Sequence, residues 1–269
     1  MKCDKWDIGV CSWSLQTDVD GVAAAMKDIG IGHVHLAVGP ALEEGGQEYL
    51  AAVKAQDWTV SCTMIGFPQE DYSTLDTIKV TGGIVPDDNW SANKKLFSDA
   101  AEATKALGVK YLSMHAGFID HNDTEKYQAV HERIRSLGDI VAANGIMLLM
   151  ETGQETAEEM ASFLKDMNHP AVGINFDPAN MILYDKGDPI EAVKILAPWI
   201  KHVHIKDANR TATTGQWGCE VPWGEGQVCS DKFLDTLAGI GYEGTLAIER
   251  EAGDDRTGDI RLAVKRLQS

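Results

Sequence analysis

The sequence predicts a (β/α)8 TIM barrel of the α/β class, formed as a single domain over residues 1–269. Eight short runs rich in apolar and β-branched residues alternate with longer amphipathic stretches, as a parallel sheet with helical crossovers requires. A length of 269 residues is common for a barrel built as one domain. The phosphate-binding pattern GxGxxG, typical of the competing doubly wound sheet, does not follow the first run. The barrel is therefore the preferred architecture.

The strands and the helix starts can be placed along the chain. The predicted strands are approximately Ile8–Ser12, His33–Ala37, Thr59–Ile65, Tyr111–His115, Ile146–Glu151, Val172–Asp177, His202–Ile205 and Thr245–Glu249. Between them, Asp188 followed by Pro189 gives a helix cap with proline at the first helical position. Thr156 with Glu159 forms a capping box, and Ser230 is predicted to cap a later helix.

Two connections are too long to be plain barrel turns, namely Phe67 to about Asn89 and Asp207 to about Gln227. Both follow strands, so in a barrel they would overhang the catalytic face and could act as lids. They would carry Tyr72, Trp217 and Trp223 over the site. For each of these aromatic side chains, simple packing of the loop onto the barrel is an equally good interpretation.

The charge of the chain bears on its partners. A formal net charge of −17 would repel a phosphate backbone, so we expect no nucleic-acid partner. No stretch of about 18 uncharged apolar residues is present, which excludes a helical membrane span. Asp4 and Asp7 interrupt the N-terminal segment, which therefore does not read as a signal peptide. We expect a soluble, cytoplasmic protein with no membrane partner.

The cysteine content bears on redox state and on zinc. The five cysteines are Cys3, Cys11, Cys62, Cys219 and Cys229. Their number is odd, they are widely spaced and none forms a CxxC pair. This pattern predicts reduced thiols that pack the protein, and no structural zinc site.

Four consecutive predicted strands, the fifth to the eighth, end in a residue able to bind a metal. These residues are Glu151, Asp177, His204 and Glu249. A carboxylate at the end of an apolar strand is costly to bury unless it is paired or bound to a cation. Any one of them alone is more commonly a helix cap or a salt-bridge partner. Four together favour one shared metal site.

The donor set limits the metal but does not identify it. Three carboxylates and one imidazole suit one divalent ion, Mn²⁺, Mg²⁺, Co²⁺ or Zn²⁺, and the lack of thiolates argues against a closed structural zinc. We assign His204 as the ligand because it lies nearer the carboxyl end of its strand than His202, which is predicted to lie deeper. His115 could contact substrate or be structural. His33 and His35 carry the same ambiguity.

Asp177 and His204 stand in two segments, GINFDPANMILYDKGDP and IKHVHIKDANR, that resemble the sugar phosphate isomerase/epimerase family. This family of xylose isomerase-like barrels includes ketose 3-epimerases, hydroxypyruvate isomerase, inosose dehydratase and, more distantly, endonuclease IV. The resemblance covers nearly the whole chain and is strongest over Gly145–Glu251. It implies that Glu151, Asp177, His204 and Glu249 bind the metal. It also implies that Glu151 and Glu249 form the proton-transfer pair.

The resemblance also suggests residues that contact substrate. In ketose 3-epimerases an Arg that contacts substrate follows the metal-binding His by six residues, which is the spacing of His204 and Arg210. With Arg210 we assign His115, Asn180 and Trp13 to substrate binding. Many family members have His where this chain has Asn180, and Asn donates hydrogen bonds but is no acid at neutral pH. The further His and Asp ligands of an endonuclease IV three-zinc cluster are not found after His204.

The predicted function is a metal-dependent sugar isomerase or epimerase that acts through an enediolate. Removal of a proton beside a carbonyl needs a placed base, which typically supplies about 10²–10⁴-fold, together with Lewis-acid stabilisation of the oxygen charge. A dehydratase, which expels a β-hydroxyl from the same enediolate, is the alternative. A non-catalytic sugar-binding barrel is a third hypothesis. The expected partner is a small sugar or cyclitol, with an unphosphorylated one slightly favoured, and the family suggests a homodimer.

Overall fold

The computed structural model describes residues 5–213 and 215–269, so Cys3 lies outside the described residues. Eight parallel strands close into a barrel in the order β1, β10, β7, β6, β5, β4, β3, β2. Their bounds are β1 Ile8–Cys11, β2 His33–Ala37, β3 Thr59–Met64, β4 Tyr111–Met114, β5 Met147–Glu151, β6 Val172–Phe176, β7 Ile200–Ile205 and β10 Leu246–Ile248. The predicted (β/α)8 barrel and all eight of its strands are confirmed.

The helices surround this barrel. They are α1 Val19–Ile29, α2 Gly46–Ala55, α3 Leu75–Thr81, α4 Asp87–Ala106, α5 Thr124–Ala143, α6 Ala157–Met167, α7 Pro178–Leu183, α8 Pro189–Leu196, α9 Ser230–Gly239 and α10 Arg256–Gln268. Two short 3-10 helices, Ser12–Leu15 and Gly39–Leu42, follow β1 and β2. No helix within the described residues is long and apolar enough to cross a membrane.

Several boundaries differ from the sequence prediction for local reasons. Strand β1 ends at Cys11 because Ser12 begins a 3-10 helix. Strand β6 ends at Phe176 because Asp177 caps α7, with its side chain accepting from the backbone of that helix. The predicted caps at Thr156 and Asp188 are confirmed. The cap at Ser230 is wrong, because Ser230 is itself the first residue of α9.

Both long connections contain structure of their own. The first, after β3, holds α3 and the start of α4, and Thr74 caps α3 through a reciprocal capping box with Thr77. The second holds a two-stranded antiparallel hairpin, β8 Asp207–Asn209 with β9 Cys219–Val221. Both therefore reach over the carboxyl end of the barrel as folded segments rather than as open loops.

The interior of the barrel is unusually polar near its carboxyl end. The outer layer is apolar, with fully buried Phe97, Phe163 and Phe233 between helices and strands. Inside the barrel, however, His35 and His202 are also buried. Burying polar groups is costly unless they are hydrogen-bonded, so these histidines need partners within the barrel. They support the site described next.

Candidate active site

The four side chains at the predicted strand ends meet in one cluster. Glu151 closes β5, Asp177 follows β6, His204 lies on β7 and Glu249 follows β10. One ligand atom from each lies within 4.8 Å of those from the other three, and all four residues are buried. The carboxyl ends of neighbouring parallel strands thus bring together residues that are far apart in sequence.

The imidazole of His204 is surrounded by the three carboxylates. Its Nδ1 lies 3.3 Å from Glu249 Oε2, 3.4 Å from Asp177 Oδ2 and 3.5 Å from Glu151 Oε1. Four donors of this kind, converging from four strands, fit a hard or borderline divalent ion. The side of His204 that faces the carboxylates is therefore the side on which a cation would be bound.

Asp177 has two separate tasks. Its Oδ1 accepts hydrogen bonds from Ala179 N at 2.8 Å and Asn180 N at 2.9 Å, which caps α7. Its Oδ2 faces His204. The helix-capping interpretation and the metal-binding interpretation of this carboxylate are therefore compatible.

The side chain of Glu151 is held by amide groups. Asn180 Nδ2 donates to Glu151 Oε1 at 3.0 Å, and Asn175 Nδ2 donates to Oε2 at 3.3 Å. Helix α7 comes this close because residue 153 is glycine, with φ +139°, and a Cβ there would lie 2.5 Å from Asn180 Cβ. Asn180 thus contacts a residue of the cluster, and its predicted contact with substrate stays a prediction.

The charges of the cluster are strongly coupled. Burial alone would lower the pKa of His204, but the neighbouring Cys11, then Glu249 and Glu151, and the hydrogen bond to Asp177 raise it well above its usual value. Burial would raise the pKa of Glu249, but Lys206 and His204 hold it well below its usual value. Burial raises the pKa of Asp177 to about 6 against the opposing effect of Lys206. In the metal-free protein, the His204 proton thus provides positive charge between the carboxylates.

A cavity of about 700 Å³ opens above the cluster. Its lining includes Glu249, His115, Asn180 and Trp13. The volume falls within the range of about 300–1,000 Å³ that is usual for small-molecule sites. The cavity therefore gives a substrate access to one carboxylate of the cluster and to three of the four residues assigned to substrate binding.

The two long connections contribute aromatic side chains to this cavity. Tyr72 and Trp217 line it. The ring of Tyr72 lies 6.0 Å from that of His115, and the ring of Trp217 lies 4.7 Å from that of Tyr184. Trp223, in contrast, is buried with its ring 6.0 Å from that of Phe233. Two of the three aromatic residues are thus placed over the site, whereas the third packs the connection onto the barrel.

Arg210 is not brought to this cluster. Its guanidinium contacts Asp185 Oδ1 at 2.6 Å, and Arg210 does not belong to the described lining of the cavity. His33 is also elsewhere, with its Nε2 3.5 Å from Asp7 Oδ2. His202 lies deeper than His204, bonded to Asn175 and Ser61. The role of Arg210 as a substrate contact stays a prediction.

Sequence reasoning missed Lys206, which is buried in the site. Its Nζ lies 2.8 Å from Glu249 Oε2 and 2.7 Å from Glu251 Oε2. A signal was present, since successive side chains of a strand alternate and residue 206 continues the inward-facing series that contains His204. Lys206 supplies the cation that keeps Glu249 ionised.

Sequence reasoning also left open the role of His35, which lies directly beneath the cluster. Its Nδ1 is 2.9 Å from His204 Nε2. When His204 offers Nδ1 to a cation, its Nε2–H can donate to His35 Nδ1, which is nearer to Nε2 than Asn175 Nδ2 at 3.1 Å or Cys11 Sγ at 3.6 Å. His35 is therefore a positioning residue for His204.

We expect His35→Leu to weaken Mn²⁺ binding about 10–100-fold, because His204 loses the acceptor that orients it. The dissociation constant can be measured by calorimetry. His35→Asn, which keeps an acceptor, should recover part of the affinity. Cys62→Ala is the matched control, because Cys62 Sγ lies within 4.8 Å of a His35 ring nitrogen but its thiol donates to Thr63 O. Equal loss of affinity in the His35→Leu and Cys62→Ala proteins would contradict this role.

The fold and the site together define a (β/α)8 barrel that carries a cluster of metal-binding side chains at the carboxyl end of its strands. The chain belongs to the xylose isomerase-like TIM barrel family, whose sequence model matches residues 18–269. Curated proteins that it resembles in sequence are named dehydratases, so the family contains enzymes.

Three relatives illustrate the likeness. A xylose isomerase domain protein from Planctomyces limnophilus is 31% identical, with a TM-score of 0.88 over 98% of this chain and 95% of that one. An inosose dehydratase from Clostridium botulinum is 25% identical over 164 residues, 55% of each chain, so the match spans about half of that relative. A 3-keto-D-glucoside 4-epimerase from E. coli superposes with a TM-score of 0.74 over 98% of this chain and 99% of that one, at 17% identity, which shows the fold alone.

Proposed function

We propose that this protein is a divalent-metal-dependent isomerase or epimerase that moves protons on a small keto sugar or cyclitol. The observation that carries the proposal is the placement of two buried carboxylates, Glu151 and Glu249, on one cluster below a cavity large enough for such a molecule. A binding protein has little need of two such groups on one metal site.

The residues present fit a resident cation. Glu151, Asp177, His204 and Glu249 would hold it, since buried carboxylates this close together need a positive charge between them. Such an ion would act as a Lewis acid on the carbonyl and adjacent hydroxyl oxygens of the substrate. Three carboxylates and an imidazole accept Mn²⁺, Mg²⁺, Co²⁺ or Zn²⁺, and we propose manganese as the first ion to test.

The protein's own groups then carry the protons. One of Glu151 and Glu249 removes the proton beside the carbonyl and the other returns one, while His115, which lines the cavity 3.7 Å from Glu151, orients a hydroxyl. Return to the opposite face of the same carbon gives an epimer. Return to the neighbouring carbon gives the aldose–ketose isomer.

A screen in D₂O tests this proposal. The Mn²⁺-loaded protein is incubated with ketoses and keto-cyclitols, and carbon-bound deuterium is followed by NMR. Deuterium incorporation with an epimer or isomer as product is the expected result. Normal sugar binding without exchange at any carbon would instead identify a non-catalytic sugar-binding barrel.

A dehydratase is the second candidate, because the curated relative at 25% identity is named inosose dehydratase. Both candidates share the first proton removal and differ in whether a β-hydroxyl then leaves. The same screen separates them, since a dehydratase would yield an unsaturated or deoxy product with loss of water.

We expect metal binding to release about one proton per ion at pH 7. His204, whose pKa is raised, must lose its proton before Nδ1 can bind a cation. Near pH 6 Asp177, whose pKa is about 6, adds to the release. Since acid favours the metal-free state, the dissociation constant should rise about tenfold for each unit that the pH is lowered near pH 7, and more steeply below about pH 6. Calorimetry of Mn²⁺ binding in buffers of different ionisation enthalpy measures this. In the His204→Gln control, metal binding at pH 7 should release no proton. If the wild-type protein also releases no proton, the charge assignment is contradicted.

A further inference from the structure

A second cavity, of about 540 Å³, adjoins the one above the metal-binding cluster. It lies between helices α1 and α2, and residues of the segments after β1 and β2 form its upper part. Because those segments follow the carboxyl ends of barrel strands, this α1–α2 cleft opens on the catalytic face. Nothing in the proposed proton transfer uses it.

The two cavities are adjacent and have three lining residues in common. Trp13, Ala37 and Pro40 line both of them. The indole nitrogen of Trp13 donates to Glu249 Oε1 at 2.8 Å, so this shared residue also contacts the catalytic cluster. The two cavities therefore meet at a residue that contacts Glu249, so a molecule that spans Trp13 would reach both.

The lining of the α1–α2 cleft indicates which chemistry it would accept. Trp13, Tyr49 and Trp58 supply aromatic surface, which suits the C–H faces of a sugar ring or an aromatic substituent. Asp20 and Glu48 add carboxylate oxygens, which accept hydrogen bonds from hydroxyl groups. None of the described residues that line it is Lys, Arg or His, so the cleft does not suit a phosphate or a carboxylate.

We propose that the α1–α2 cleft is a second subsite, which makes the substrate a conjugate in which the reacting keto sugar carries a second ring, either another sugar or an uncharged aromatic group. This inference rests on the proposed function and narrows its substrate class from a free monosaccharide to a glycoside or a disaccharide. The second ring stacks on the aromatic lining, while its hydroxyls donate to the acidic rim.

The test compares matched substrates with and without the second ring. The pairs are D-fructose with isomaltulose, which is fructose carrying a glucosyl group, and 3-keto-glucose with its phenyl glycoside. Proton exchange in D₂O is measured for each with the Mn²⁺-loaded protein. We expect the two-ring compound of the active pair to have a kcat/KM at least about tenfold higher than its one-ring partner.

Two substitutions on helix α2 provide the variant and its control. Ala52 lines the α1–α2 cleft, so Ala52→Trp should fill it and lower kcat/KM for the two-ring compound at least about tenfold, with the one-ring compound within about twofold of wild type. Ala51 is exposed and does not line either cavity, so Ala51→Trp should change neither value.

The outcomes separate this inference from the proposed function. The subsite is overturned if the one-ring compounds are exchanged and the second ring gives no gain in kcat/KM. It is also overturned if Ala52→Trp affects both members of a pair equally. Either result leaves the proton-transfer proposal standing. If no compound is exchanged here or in the wider screen of ketoses and keto-cyclitols, the proposed function fails. Tryptophan fluorescence then still tests the subsite, which predicts that wild type and the Ala51→Trp protein bind isomaltulose and that the Ala52→Trp protein does not.

Discussion

Glu151→Gln and Glu249→Gln should each slow solvent proton exchange about 10²–10⁴-fold at saturating Mn²⁺. Glutamine keeps the size of the side chain but can neither remove nor return a proton at neutral pH. Each change also removes one negative charge from the cluster, so metal binding should weaken. The Mn²⁺ concentration must therefore be raised until the metal occupancy matches that of wild type. Single-turnover exchange measured at equal occupancy then isolates the proton-transfer defect.

Glu155→Gln is the matched control for these two variants. Glu155 is also a buried carboxylate, four residues after Glu151, but it accepts a hydrogen bond from Ile119 N at 2.8 Å and does not belong to the metal-binding cluster. Its amide variant should exchange protons at close to the wild-type rate. Burial raises the pKa of Glu155 to about 7, so the three variants are compared at pH 8 or above, where its carboxyl is ionised. A comparable defect in all three proteins would then show that loss of a buried charge, rather than loss of a base, is being measured.

Lys206→Met should have the second largest effect, a fall of about 10²-fold or more in exchange kcat/KM. The ammonium lies 2.8 Å from Glu249, and its removal should raise the pKa of that carboxyl. Since the base must be ionised, a higher pKa moves the ascending limb of the pH–rate profile to higher pH. The change also leaves Glu249 and Glu251 without their buried partner, at a cost of about 3–5 kcal/mol in the free energy of unfolding.

Lys201→Met provides the comparison for Lys206. Lys201 lies on the same strand, β7, but its ammonium is exposed and bonds to Pro198 O. Its loss should leave both the rate and the pH profile unchanged. If Lys206→Met lowers stability while the pH profile stays where it is in wild type, Lys206 is structural only and does not tune Glu249.

Much of the barrel could be predicted because its signals are local. Runs such as residues 147–150 are continuously apolar, as strands buried on both faces are, and Pro189 after Asp188 marks a helix start. The short helix α3 was not predicted because it lies in a segment rich in glycine, proline and aspartate. The prediction that Ser230 caps α9 was wrong because serine near a helix start also occurs inside the first turn.

The candidate site could be predicted only where its residues mark strand ends. Glu151 and Asp177 stand out because a carboxylate is unexpected after an apolar run. The role of His35 could not be assigned, since this role depends on a contact with His204, which is 169 residues away in sequence. Arg210 was assigned to substrate binding from its spacing to His204. Spacing in the sequence cannot show that Arg210 forms an ion pair with Asp185.

Asp177 joins the secondary structure to the cluster, because one of its oxygens secures helix α7 while the other faces His204. Backbone and amide groups of this chain hold the carboxylates of Asp177 and Glu151, so their positions do not depend on a bound cation. Mn²⁺, Mg²⁺ and Co²⁺ should consequently be exchangeable by dialysis against a chelator and a new salt, without refolding. Which ion occupies the protein in a cell would then follow from supply as much as from selectivity.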